Sequence, residues 1–157
     1  MASVFRREAV DVSLLTAEVV GAYDFWISCI LAASGGGFYY IPERLTNYRI
    51  HDRMETGRRT PEKSRPLVYI FEQLLAKNWF PTMRRLLVGK LAGAYFQCGR
   101  DLLWFNQTET ARTMFCKALK TDAQLKFLVA YMLSLAPYMI RRQIRLTGGK
   151  MGYQNNI

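Results

Sequence analysis

Histidine occurs once in the 157 residues, cysteine three times, and Asp and Glu together number 12 against 22 Lys and Arg. Each scarcity excludes something. His51 is the sole histidine, and Cys29, Cys98 and Cys116 are odd in number, far apart and set among apolar neighbours, which indicates no Cys-ligated zinc site. That spacing excludes a disulfide framework and fits reduced thiols packed in a core. Long apolar runs are also missing. The longest weakly charged stretch, Phe127 to Ile140, is shorter than the roughly 20 residues of a spanning helix and contains Pro137, so no transmembrane segment is expected. Arg6, Arg7, Glu8 and Asp11 interrupt the start of the chain where a secretory signal would be apolar, which leads us to expect a cytoplasmic protein, peripheral at the inner membrane face if it meets a membrane.

What is present is a half-hydrophobic chain, long enough for one core or one core with a helical extension. Its net charge of +10 favours anionic partners: nucleic acid, lipid headgroups or diphosphates. The basic residues are spread over several segments without a recognition helix or a stacking sheet, so nucleic acid is set aside. Ser3 to Arg6 reads as a short strand and Leu14 to Val20 as a helical stretch ended by Gly21. In the next helix, Ala22 to Ala33, Phe25, Trp26, Cys29, Ile30 and Ala33 recur at helical spacing and are expected to form one buried stripe. Gly35, Gly36 and Gly37 follow a helix and precede a strand, the reverse of a phosphate loop, and so mark a chain reversal. Phe38 to Ile41 and Leu45 to Ile50 read as strands joined at Pro42 and Glu43.

Asp52 to Arg65 is polar and lacks apolar periodicity, and we place a domain junction there, with residues 1–59 before it and 60–157 after it. Helices are expected at Pro61 to Lys77, Pro81 to Phe105, Thr108 to Lys120, Ala123 to Leu135 and Pro137 to Leu146, with a capping-box-like start from Asn106 and Glu109 for the third. From Tyr95 to Asp122 the spacing resembles one tetratricopeptide repeat, with Gly99 at a close helix approach and Ala111, Phe115 and Ala118 on the second helix; the match is short, and an antiparallel hairpin with ordinary core residues is the preferred reading. The stretch from Pro137 to Lys150 combines Tyr138, Met139, Ile140, Ile144 and Leu146 with Arg141, Arg142, Arg145 and Lys150. That pattern suits either an anionic membrane surface or a solvated face of a packed helix.

Four motifs in order, Ser3-Val4-Phe5-Arg6-Arg7-Glu8, Tyr23-Asp24-Phe25-Trp26-Ile27, Phe38-Tyr39-Tyr40-Ile41-Pro42-Glu43 and Leu45-Thr46-Asn47-Tyr48-Arg49-Ile50-His51, resemble family 2 glycosyltransferases of the GT-A fold. The resemblance covers about the first third of the chain, and the rest is similar to helical extensions of bacterial members. It implies a mainly α chain with a small α/β portion: a partial GT-A remnant from the acceptor side, followed by a helical bundle with the tetratricopeptide-like hairpin. The implied activity is transfer of a sugar from a nucleotide diphosphate to a hydroxyl acceptor. In the family, an Asp-x-Asp motif holds a divalent metal, Mn or Mg, and an earlier Rossmann-like half holds the donor. No Asp-x-Asp occurs in these residues. A nucleotide-binding half is therefore the implied partner, and the chain alone is expected to be inactive. The family's acidic base, two places before the Asp of the aromatic cluster, corresponds to Ala22. Asp24 remains as a weak catalytic candidate, although about 200° of helix rotation separates it from that position and helix capping suits it better.

By the same resemblance His51 would complete a metal site and Arg49 would bind pyrophosphate, the two sharing a strand face with Asn47; the other readings are a surface or hydrogen-bonded histidine without a carboxylate ligand beside it, and a solvated strand arginine. Tyr23 and Trp26 could stack on an acceptor sugar, with core packing the other reading for Trp26. The competing expectation for the whole chain is a non-catalytic helical module that binds a protein or a membrane.

Overall fold

The computed structural model describes residues 5–35 and 61–136, which carry five α-helices and four short 3-10 turns and, among the described residues, no strand. The chain is thus mainly helical, as expected. Phe5 and Arg6 do not continue the strand expected from Ser3; instead the Ala9 amide donates to the Arg6 carbonyl and starts a 3-10 turn at Arg7–Ala9. The helix expected over Leu14 to Val20 is also absent. Two 3-10 turns, Val12–Leu14 and Ala17–Val19, stand around it. The cause is local: Asp11 accepts hydrogen bonds from the Ser13 amide and hydroxyl, at 3.0 and 2.6 Å, and this closes a turn too tight to propagate as an α-helix. Gly21, at φ +89°, then redirects the chain.

Helix α1, Tyr23–Ala33, buries Trp26 and Ile30 of the expected stripe, leaves Cys29 and Ala33 half-buried, and leaves Phe25 exposed at 38%, its ring 5.8 Å from that of Phe71; the helix ends at Gly35, whose φ of +77° supplies the left-handed residue of a helix stop. The expected strands at Phe38 to Ile41 and Leu45 to Ile50, and the expected helix at Pro137 to Leu146, lie outside the described residues. Helix α2, Pro61–Lys77, has the bounds that its proline start and apolar period dictate. The long helix expected from Pro81 begins with a 3-10 turn, Pro81–Met83, before α3 runs over Arg84–Trp104. Helix α4 spans Thr108–Thr121 and α5 spans Leu125–Leu135.

Asn106 corrects the expected capping box. Its φ is +63°; its amide donates to the Leu103 carbonyl and the Gln107 amide to the Leu102 carbonyl, so it closes α3 rather than opening α4. Gln107 is the residue before α4 and makes no side-chain cap, while Glu109 turns to Arg112 in an ion pair of 2.8 Å.

Three apolar clusters join these elements. In the first, Val19, Ala22, Trp26 and Ile30 pack with Ile70 and Leu74 of α2 and Leu87 of α3, so residues on both sides of the expected junction share a core. Trp26 stacks on Trp79 at 5.6 Å, and its indole N–H donates to the Leu14 carbonyl at 2.7 Å, which satisfies the one polar atom of a buried ring. The second and third clusters tie α3 to α4 and α5 through Leu91, Tyr95, Cys98, Leu102, Ala111, Phe115 and Phe127. Each fully buried large side chain contributes about 1.5–3 kcal/mol relative to exposure. The α3–α4 hairpin closes tightly at Gly99, where a Cβ would lie 2.7 Å from Cε1 of Phe115.

Candidate functional site

The first turn of α1 carries three of the residues singled out by the sequence. Tyr23 is 37% exposed, and its hydroxyl donates to the Thr16 carbonyl at 3.3 Å, which holds the ring at the surface against the preceding turn. Asp24 is exposed, and its carboxylate accepts the Phe25 amide at 2.8 Å, one of the amides a helix start leaves without an internal partner. A carboxylate there also meets the positive end of the helix. Trp26, at the end of the same turn, is 1% exposed, which matches the core reading of that residue. Of the residues singled out by the sequence, Tyr23 and Asp24 are therefore the accessible ones of this turn, beside an equally exposed Phe25. Ala22 precedes it as the N-cap residue and is buried in the first cluster, so a longer acidic side chain at that position would start inside an apolar core.

Arg49 and His51 lie outside the described residues. Among the described residues, no three His, Cys, Asp or Glu side chains converge as metal ligands would. Burial governs the titratable groups nearest the core. It pushes the Cys29 thiol up to about 11 and raises Cys98 as well. Tyr95 is raised first by burial and then by Glu72, whose carboxylate accepts its hydroxyl proton and joins α3 to α2.

Two surface features escaped the sequence reading. One is an open groove of about 310 Å³ between α4 and α5, lined by Arg112, Thr113, Cys116, Lys117, Lys120 and Tyr131. Arg112 bridges the two helices by donating to the Ser134 carbonyl at 3.2 and 3.3 Å, and the Lys117 ammonium stands 5.3 Å from the centre of the Tyr95 ring. The other is α5 itself. Phe127 and Ser134 are buried against the bundle, whereas Leu125, Leu128, Val129, Met132, Leu133 and Leu135 are between 40% and 76% exposed. Their signal in the sequence is the presence of one charged residue, Lys126, in the eleven of α5.

Among the described residues no helix is long and apolar enough to cross a membrane. No protein-family model, curated protein or solved structure matches the chain.

Proposed function

We propose that this chain is the acceptor-side portion of a family 2 glycosyltransferase, working with a nucleotide-binding half that these residues do not contain. The observation that carries the reading is the ordered set of four motifs, whose second member forms the first turns of α1 with Tyr23 presented at the surface. In this reading the Tyr23 ring stacks on the apolar face of an acceptor sugar and Asp24 orients one of its hydroxyls. Arg49 and His51 serve the diphosphate and the divalent metal, Mn or Mg, once the other half brings its carboxylates. The missing acid at Ala22 leaves proton removal to a group from that half or to none. The α3–α4 hairpin, with Gly99 under Phe115, is the tetratricopeptide-like part of the helical extension.

Saturation-transfer NMR tests the acceptor role directly. The isolated chain should show saccharide signals that Tyr23→Ala removes, and no metal-dependent binding of a nucleotide sugar by calorimetry. Saccharide signals unchanged by Tyr23→Ala would refute the acceptor site, and tight donor binding by the chain alone would refute its division from the nucleotide-binding half. The second reading, a non-catalytic helical module that binds a protein or a membrane, is favoured by one observation, the exposed apolar side of α5.

A further inference from the structure

At about 100° per residue, Leu135, Leu128, Met132, Leu125, Val129 and Leu133 occupy a continuous arc of roughly 160° on α5. All six are exposed, and Phe127 and Ser134 sit opposite, against the bundle. A helix apolar on every side is ordinarily enclosed, so this outward face requires an occupant. The edges of the arc are basic. Lys126 borders Leu133 on one side; on the other, Tyr131 leads into the groove that holds Lys117 and Lys120 of α4. The sequence beyond continues the same sign: no acidic residue follows Asp122, while Arg141, Arg142, Arg145 and Lys150 do.

We propose that the outer face of α5 is a membrane-docking surface, which lies in the plane of an anionic bilayer with its leucines and Met132 among the acyl chains and its flanking lysines at the phosphates. Charge decides among occupants. A second copy of the same face would gather Lys117, Lys120 and Lys126 of both copies around one seam, which like-charge repulsion opposes. An anionic lipid surface complements both the apolar centre and the basic rim, and this is the arrangement of interfacial helices. The inference stands apart from the sugar-transfer reading, since it uses neither Tyr23 nor the α1 turn and its readout involves no saccharide.

Co-sedimentation of the full chain with phosphatidylcholine vesicles, with and without about one third phosphatidylglycerol, tests it. The chain should partition onto the anionic vesicles, at least tenfold more weakly in high salt or on neutral vesicles. The double variant Leu128→Gln and Met132→Gln changes exposed positions and no charge. It should keep the thermal midpoint and lose at least tenfold in partitioning, while Lys120→Gln with Lys126→Gln should lose several-fold. Absence of vesicle binding by the unaltered chain overturns the proposal, as does equal binding by the Leu128 and Met132 variant. Binding that appears only after residues 137–157 are removed also overturns it, since the chain would then cover its own face. A concentration-dependent dimer that the same variant abolishes, without vesicle binding, assigns the face to a second copy instead.

Discussion

At the residue scale, the glycines of α3 separate two effects that a sequence cannot distinguish. A Cβ at Gly99 meets Cε1 and Cδ1 of Phe115 at 2.7 and 2.8 Å, and that ring is 1% exposed and held by Phe96 at 6.0 Å, so it has nowhere to move. Overpacking of this kind costs about 1–3 kcal/mol, against a gain of up to about 1 kcal/mol from helix propensity. Gly99→Ala should therefore lose about 1 kcal/mol in urea unfolding. Gly93, in the same helix with nothing within 4 Å of its notional Cβ, should gain about 0.5–1 kcal/mol as Gly93→Ala. Cys29 gives a pH test. Its ordinary value near 9 rises to about 11 through burial, so the folded chain prefers the neutral thiol. This contribution is fully present below about pH 9 and is lost as pH rises towards 11, since the unfolded chain releases the proton first. Thermal midpoints of the wild type and Cys29→Ala, followed from pH 8 to 11, should show the wild type losing more.

At the element scale, periodicity and breakers placed the helices well because both are local. Pro61 starts α2, and the apolar period carries through α3, α4 and α5 to within a few residues of each expected end. The boundary signal at Asn106 misled, and the turn at Asp11 went unread, for one shared reason. A short polar side chain can cap a helix, close one, or make a turn of its own, and its partner depends on where the chain arrives. Because Asn106 holds a left-handed conformation, Asn106→Ala should cost about 1 kcal/mol, whereas Asn106→Gly should be neutral or stabilising by a few tenths of a kcal/mol. Urea midpoints of the two variants check this. If Asn106 were the N-cap of α4, both replacements would destabilise.

For the whole molecule, the 5–35 segment is held by the first cluster, in which Trp26 meets Trp79 and Val19 meets Ile70 and Leu74. A chain lacking residues 1–35 uncovers that side of α2 and α3, and it should bind a hydrophobic dye and melt at least several degrees lower than the full chain. An unchanged midpoint would show that the cluster contributes little. The candidate site was legible in the sequence only as a set of motifs. That Trp26 faces inward was legible from its helical spacing, whereas the exposure of Phe25, on the same stripe, follows from how α1 meets α2, which no single segment encodes. The sequence by itself determined the helical spans of the second half among the described residues, the burial of Trp26 and Ile30 in α1 and the strong basic balance, because period, breakers and charge are properties of neighbouring residues. Only the tertiary structure decided the outer face of α5. Its residues are apolar all round, so no pattern selects an inside, and the side left exposed is fixed by packing against α3 and α4.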